Sequence, residues 1–425
     1  MAILENMSKD FNIVGIDIGS ANTRVVVAQQ IKGEENLRVI GVAAVPSAGM
    51  RRGVIIDVED VAKTINAAVE SAERMVGFPI KHGIFNIGGC EIAFANSKGV
   101  IAIGRADGEV CEGDISRAIA EAQMIQVPMN KEIVHVIAKK YRLDDQDNLK
   151  DPLGMKGVRL EVDTLVIESS SVQVKNISKA TYQAGIEIDD LVLEPLATAG
   201  AVLTKKQKEL GVVMINIGGG TTSLAVYEEG ELLHTAILPV GAGHITNDIA
   251  IGLRISVEVA EQIKLEYGSA LSGDVGKEDG IDLSLLDSRE EGVVSRYHIA
   301  EIIEARLEEI FALVQKELQK IGKAGLLPAG AVLVGGGAKM VHLAEFAKQN
   351  LGLPIQIGFP LGFGGIMDKV DDPSFATVAG LAAWGKSQAQ ENQVNFSGVR
   401  AFDVFAHPAG ATVGKLGGWL KKFLP

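Results

Sequence analysis

The sequence has 425 residues, of which 47% are apolar and 49 are glycine, so it is long enough for two or more domains with separate cores. Its formal net charge of −13, without a clustered basic face, argues against a nucleic-acid partner. Cys90 and Cys111 lack CxxC spacing, which fits a reducing cytoplasm. We expect neither a signal peptide nor a membrane-spanning helix, because Glu5 and Asp10 precede the first apolar run and no run reaches ~20 residues.

The most informative motif occurs twice, at residues 16–27 and 215–226. Each copy is an apolar strand, a turn rich in glycine and hydroxyl residues, and a second apolar strand, which predicts a β-hairpin. Small residues let backbone N–H groups approach a phosphate closely, and hydroxyls add donors. The pair predicts a clamp that holds the phosphates of a nucleotide between two similar halves. For either hairpin alone, turn geometry is an equally good explanation of the glycines.

The rest of the first half alternates strands with helices, which favours an α/β fold with sheets covered by helices. A strand at 37–45 precedes an amphipathic helix at 60–75. The region from about 83 to 163 differs in texture, and we interpret it as an inserted subdomain. Its predicted elements are strands at 83–87 and 134–141 and a helix at 114–125 with Asp114 as N-cap.

In the second half, glycines precede the first predicted helix, and a glycine turn follows the last predicted strand. Its predicted elements are a helix starting within 240–248, helices at 256–267 and 299–321, an exposed loop or small sheet at 272–291, and a buried strand at 331–334. Three glycines, 335–337, follow that strand. The carboxyl end of a strand is where open α/β sheets bind ligands.

The C-terminal region changes character again. Residues 386–411 have the polar composition of a linker. Residues 412–425 predict an amphipathic helix with one apolar face, formed by Val413, Leu416, Trp419, Leu420, Phe423 and Leu424, and with Lys415, Lys421 and Lys422 outside it. Such a helix binds anionic lipid surfaces. The alternative is a terminal helix that packs on the protein's own core.

These motifs, with helical segments at 194–200 and 375–380, resemble the actin, Hsp70 and sugar-kinase superfamily and, within it, the FtsA family of bacterial cell-division proteins. The resemblance covers essentially the whole chain. It implies an α/β, actin-like two-domain ATPase fold with an FtsA-type inserted subdomain in the first half and a C-terminal amphipathic helix. The implied division is subdomain 1A at 1–83 with 164–198 and 372–385, inserted subdomain 1C at 84–163, subdomain 2A at 199–240 and 317–371, subdomain 2B at 241–316, a flexible linker at 386–411 and a membrane-targeting helix at 412–425.

The resemblance also implies that ATP and Mg²⁺ bind between the halves. The expected phosphate contacts are Gly19, Ser20, Ala21, Asn22 and Thr23 in the first hairpin, Asn216, Gly218, Gly219, Gly220, Thr221 and Thr222 in the second, and Gly241 and Gly243 at the helix mouth. The expected adenosine contacts are Glu261, Lys264, Gly335, Gly336, Gly337 and Lys339. Two alternatives stay open: Gly241 and Gly243 could only shape the helix entrance, and Glu261 with Lys264 could be a solvated pair.

Three further residues concern the chemistry that the resemblance implies. Asp17 is expected to hold Mg²⁺ through waters, the alternative being a turn aspartate. Asn216 stands where relatives often carry a second carboxylate, so we expect at most slow ATP hydrolysis. Glu194 is expected near the attacking water, although a glutamate at a helix start also suits the helix dipole.

By the same resemblance, the chain is expected to polymerise at the division site on the cytoplasmic face of the bacterial inner membrane. There it would anchor the FtsZ ring and recruit later division proteins. The FtsZ C-terminal peptide would dock on 241–316, with Arg296 and Arg306 as its contacts. Two alternatives stay open: a PilM-like component of a pilus-assembly complex, and a soluble ATPase or kinase of the same superfamily.

Overall fold

The computed structural model describes residues 11–394. Its strands are β1 (Phe11–Ile18), β2 (Asn22–Gln30), β3 (Leu37–Pro46), β4 (Met50–Arg51), β5 (Val54–Ile55), β6 (His82–Ile87), β7 (Ala93–Ala102), β8 (Lys131–Leu143), β9 (Gln146–Leu149), β10 (Arg159–Ser170), β11 (Glu187–Leu193), β12 (Val212–Ile217), β13 (Thr222–Glu228), β14 (Glu231–Leu238), β15 (Gly280–Asp282), β16 (Val293–Ser295), β17 (Ala331–Val334), β18 (Ile355–Ile357) and β19 (Phe363–Gly365). Its helices are α1 (Val58–Val76), α2 (Glu112–Ala122), α3 (Ser171–Gln183), α4 (Glu194–Val202), α5 (Lys205–Leu210), α6 (Ala242–Leu253), α7 (Val257–Tyr267), α8 (Arg296–Lys320), α9 (Leu343–Leu351) and α10 (Ala376–Val394).

Two sheets repeat one topology. The first has the strand order β11-β6-β1-β2-β3-β19, and the second has the order β14-β13-β12-β17-β18. Each contains a three-stranded antiparallel meander followed by two parallel strands. The turns β1–β2 and β12–β13 are the two hairpins found in the sequence. The repeat confirms the two similar halves that those hairpins predict.

The inserted subdomain is a separate antiparallel sheet, β7-β10-β8-β9, with α2 against it. The strand predicted at 83–87 does not belong to the insert, because β6 pairs with β1 and β11 in the first sheet. The last strand of the insert, β10, continues past the predicted boundary at 163 to Ser170. The helix packs so closely that a Cβ at Gly99 would lie 1.9 Å from the Ala118 carbonyl oxygen. Asp114 is not the N-cap of α2. That position belongs to Cys111, and Asp114 stands one turn further on, where its carboxylate accepts the Cys111 N–H at 3.0 Å. The prediction misplaced the helix start because an acid at the third helical position reaches back to the cap.

Helices α4 and α10 cross between the two sheets. At the crossing, a Cβ on Gly380 would lie 1.9 Å from the Ala197 carbonyl oxygen, so only glycine allows this approach. The core around them draws on both sheets, on both helices and on the insert, with members such as Val26, Ile84, Met214, Val332, Leu196, Val378 and Ile167. The crossing is therefore the structural centre of the chain.

The linker was predicted to begin too early. Helix α10 continues to Val394, so residues 386–394 are helical. Beyond the predicted end, Gln388 donates to Asp190 Oδ2 at 2.6 Å. Trp384, just before that end, donates to the same oxygen at 2.8 Å, so both residues hold the helix to the first sheet. The remainder of the linker and the amphipathic segment 412–425 lie outside the described residues. Among residues 11–394, no helix has the length and apolar character that crossing a bilayer requires.

The helix crossing predicts the effect of adding one methyl group. Gly380→Ala should destabilise the fold by about 1–3 kcal/mol, because the helices must separate to admit a Cβ. Gly200→Ala in α4 is the matched control, since no atom lies within 4 Å of the added Cβ there; it should be neutral or stabilise by up to about 1 kcal/mol. Thermal unfolding of the two variants measures the difference. Equal midpoints would contradict the tight crossing.

Candidate functional site

A cavity of about 540 Å³ opens between the two halves. It lies where both hairpin turns, the starts of α4 and α6, helix α7 and the glycine turn after β17 come together. The predicted site residues that line it are Asp17, Gly19, Ser20, Ala21, Asn22, Glu194, Asn216, Gly218, Gly219, Gly220, Thr221, Gly243, Glu261, Lys264, Gly335, Gly336, Gly337 and Lys339. The structure thus gathers residues from six separate segments of the sequence.

Three predicted contacts do not reach the cavity wall. Thr23 is fully buried, and its hydroxyl bonds Ser47 Oγ at 2.8 Å. Thr222 begins β13 and is also fully buried. Gly241 packs beneath the second hairpin, where an added Cβ would lie 2.4 Å from the Gly218 carbonyl oxygen. These three residues support the turns from behind: Thr23 and Thr222 face the core from their strands, and Gly241 lies just before α6.

The two hairpin turns touch each other. The same closing hydrogen bond forms in both, from Gly19 N to Asn22 O at 3.2 Å and from Gly218 N to Thr221 O at 2.9 Å. A Cβ on Gly220 would lie 2.7 Å from Ser20 Oγ, so a larger residue there would separate the turns. The lack of a side chain at Gly220 therefore lets the two halves come close together, in addition to any part that the glycines play in turn geometry.

Asp17 is a buried carboxyl at the end of β1, where it lines the cavity. Burial raises its pKa to about 7, against the opposing effect of Arg24 and with a further increase from Glu194. Arg24 is its cross-strand neighbour on β2. A carboxyl held in such surroundings gains most from a nearby cation, because the cation stabilises its charged form.

Glu194 begins α4 and receives three hydrogen bonds on Oε1. Asn216 Nδ2 donates at 2.5 Å, Thr198 Oγ1 at 2.9 Å and Thr377 Oγ1 at 3.4 Å. The donors come from β12, α4 and α10, so the carboxylate is held where the two halves meet. Burial raises the pKa of Glu194, and these hydrogen bonds oppose the rise. An aspartate at 216 would face Glu194 with a like charge, and the amide avoids this repulsion.

Lys264 is buried on α7 and is not part of a solvated pair. Its Nζ donates to Glu261 Oε2 at 2.5 Å and to Thr246 Oγ1 at 2.8 Å. The cluster ties α7 to α6 at the cavity wall. Lys339, on the far side of the glycine turn, donates to Asp372 Oδ2 at 2.6 Å.

The sequence analysis missed Arg24. This residue lines the cavity, and its guanidinium carbon lies 5.5 Å from the centre of the Phe375 ring. Its buried Nε has no hydrogen-bond partner within residues 11–394, and burial lowers its pKa. A buried cation with an unused donor at a cavity wall suits an anionic ligand. The available signal was one basic residue that opens the otherwise apolar run 25–28.

The two arginines expected to bind an acidic peptide are engaged within their own subdomain. Arg306 grips Asp248 through Nε at 2.6 Å and Nη2 at 2.9 Å, which ties α8 to α6. Arg296 donates from Nε to the Tyr267 carbonyl at 3.0 Å. Because both guanidinium groups already have partners within the chain, their geometry does not favour either residue as a contact for the peptide.

Comparison with known proteins decides the family. A family model described as "Cell division protein FtsA" matches residues 213–380, and one described as "SHS2 domain inserted in FTSA" matches residues 89–168. The cell division protein FtsA of Pseudomonas aeruginosa is 37% identical over 91% of this chain and 92% of its own length. The chain belongs to the FtsA family. FtsA of Bacillus subtilis is 38% identical, over 87% of this chain and 82% of its own, and FtsA of Escherichia coli K12 is 32% identical, over 96% and 97%.

Solved structures show the fold of this FtsA-family chain. The PilM–PilN type IV pilus biogenesis complex matches with a TM-score of 0.63 at 16% identity, covering 88% of this chain and 98% of that one. MreB 5 of Spiroplasma citri bound to AMPPNP matches with a TM-score of 0.53 at 15% identity, covering 91% and 99%. The predicted actin-like fold with its insert is confirmed. At 16% identity the PilM likeness concerns the fold alone, so the FtsA relatives decide against the pilus-assembly alternative.

The raised pKa of Asp17 predicts how the nucleotide-free chain responds to pH. The folded state binds its proton up to about pH 7, whereas the unfolded chain releases it near 3.8. Stability from this group therefore falls between those values and stays low above pH 7. At pH 8 the Asp17→Asn variant should be more stable than wild type by a few kcal/mol and should therefore unfold at a higher temperature. At pH 4 the two proteins should unfold at nearly the same temperature. An equal gap at both values would contradict the shift.

Proposed function

We propose that this FtsA-family chain binds ATP with Mg²⁺ in the central cavity. The observation that carries the proposal is the contact of the two hairpin turns beside Asp17, Arg24 and Glu194. The similarly folded MreB 5 of Spiroplasma citri was solved bound to AMPPNP, which supports a nucleotide ligand here. A volume of about 540 Å³ lies within the range of small-molecule sites.

The residues present fit both groups. Glycine turns offer close backbone approach for phosphates, and Arg24 supplies the buried cation with an unused donor. Asp17 would hold Mg²⁺, since one carboxylate with waters and phosphate oxygens is a typical Mg²⁺ environment. The metal would neutralise phosphate charge when bound. We assign the adenosine end to the glycine turn 335–337 and to the Glu261–Lys264 pair, which line the same cavity.

Any hydrolysis at this site would depend on Glu194. Its carboxylate is oriented by donors from three elements, and burial raises its pKa, which suits a group that accepts a proton from water. Asn216 serves this carboxylate as a donor and adds no negative charge of its own. Slow turnover is the outcome that this arrangement favours.

Replacing the Glu194 carboxylate should separate binding from hydrolysis. Glu194→Gln is expected to lower ATP turnover at least about tenfold, because the proton acceptor is lost, while the ATP dissociation constant stays within about threefold. Steady-state phosphate release and titration with a fluorescent ATP analogue measure the two quantities. Glu70→Gln, at an exposed site on α1, is the control and should change neither. Unchanged turnover in Glu194→Gln would remove Glu194 from the chemistry.

At the level of the cell, we propose that the chain polymerises at the division site, on the cytoplasmic face of the inner membrane. There it anchors the FtsZ ring and recruits later division proteins. Membership of the FtsA family supports the division role. The amphipathic pattern of residues 412–425 supports the role of this segment as the membrane anchor. The proposed binding region for the FtsZ C-terminal peptide is residues 241–316. One short amphipathic segment with three lysines binds lipid weakly, so a polymer that displays many copies of it gains by avidity.

Co-sedimentation with vesicles tests the anchor. In the presence of ATP, the full chain should pellet with vesicles of anionic lipid, whereas a chain that ends at Ala411 should stay in the supernatant. Zwitterionic vesicles are the control and should retain much less protein, because the lysines then lack anionic partners. Equal pelleting of both chains, or of neither, would show that the terminal segment is not the anchor.

A further inference from the structure

A buried histidine of the insert reaches out of its own subdomain. His135 lies on β8, is 3% exposed, and accepts the Leu193 N–H on Nε2 at 3.0 Å. Strand β11, which ends at Leu193, is an edge strand of the first sheet, and such a strand has N–H groups without a strand partner. Burial lowers the pKa of His135 to about 4, so the ring is neutral at cellular pH and Nε2 keeps its lone pair.

The contact falls at the start of α4. Leu193 is the N-cap of this helix and provides no side-chain cap, and the next residue is Glu194. Helix starts are ordinarily fixed by a polar side chain at the cap itself. Here the polar group is the imidazole of His135, which comes from the inserted subdomain. It bonds the backbone N–H of Leu193, one residue before Glu194.

The histidine ring is itself held in place from α10. The rings of His135 and Trp384 meet edge to face, with their centres 5.7 Å apart. The Trp384 indole donates to Asp190 Oδ2 at 2.8 Å, and Asp190 belongs to the same strand as Leu193. The insert, the edge strand and α10 therefore meet at one polar cluster around the buried His135, which we call the His135 junction.

We propose that His135 is a positioning residue through which the insert orients Glu194. The inference deepens the proposed function and rests on ATP hydrolysis at Glu194. Movement of the insert shifts the imidazole, and the Leu193 N–H must either follow it or lose the hydrogen bond to His135 Nε2. Glu194 is the next residue, so a shift of Leu193 or the loss of its hydrogen bond also displaces the Glu194 carboxylate. A displacement of about 1 Å in a reacting group can lower a reaction rate by a large factor.

Three variants of the full chain separate positioning from packing. His135→Leu removes the acceptor, and His135→Gln keeps one, because its side-chain carbonyl can take the place of Nε2. Val136→Ala is the matched control: it is the neighbouring residue on β8, 1% exposed, and belongs to the insert's own core. Each variant is measured for its thermal midpoint, ATP turnover, affinity for a fluorescent ATP analogue, and amide hydrogen exchange over residues 191–198.

Positioning predicts that His135→Leu lowers turnover at least about fivefold with affinity within about twofold, and raises exchange at Leu193 at least about tenfold. His135→Gln should restore both turnover and protection to within about twofold of wild type. Val136→Ala should lower the thermal midpoint without changing turnover. The proposal is overturned if His135→Leu behaves like Val136→Ala, or if His135→Gln fails to restore either quantity. If wild type neither binds nor hydrolyses ATP, the proposed function fails, whereas the exchange data still decide whether His135 holds Leu193.

Discussion

The close crossing of α4 and α10 is the constraint on which the rest of this structure depends. Gly380 lets the backbones approach until the Ala197 carbonyl fills the space of a side chain. That distance brings Thr198 on one helix and Thr377 on the other within 2.9 Å of each other, and both reach Glu194. A wider crossing would separate the two hydroxyls and remove the hydrogen bond from Thr377 to Glu194. Losing a donor to a carboxylate that is largely shielded from water is costly.

Electrostatics at the cavity follow from this packing. Asp17 and Glu194 line the same cavity. Burial raises the pKa of both carboxyl groups, and the charge of Glu194 adds to the rise at Asp17. Arg24 is the cation that offsets Asp17, and its side chain stacks on Phe375 just before α10. Strands β1 and β2 and the start of α4 therefore bring two carboxyl groups and one guanidinium to the same cavity. A cation bound there would favour the charged forms of the two carboxyl groups.

The sequence predicted what is local or repeated. The twin hairpins predicted two similar sheets, and the glycine turn 335–337 was placed correctly at a strand end because its pattern needs only neighbouring residues. Long-range pairing was not predictable. Asp248 and Arg306, 58 positions apart, form an ion pair that no periodicity reveals. Helix α10 continues beyond its apolar pattern, and there Gln388 bonds Asp190, a residue far back in the chain. Arg24 looked like an ordinary strand residue because its role depends on burial.

The insert touches both halves, and its two kinds of contact differ in strength. Toward the second half, Lys140 lies 3.5 Å from Glu229 and Lys150 lies 3.0 Å from Glu209, all of them exposed side chains. Exposed ion pairs contribute about 0–1 kcal/mol each and weaken with salt, so these contacts add little to the attachment of the insert. Toward the first half, the His135 junction is buried, and an unpaired Leu193 N–H there would cost about 1–3 kcal/mol. The ionic contact is therefore the weaker of the two, and the buried hydrogen bond is the one that ties the insert to the start of α4.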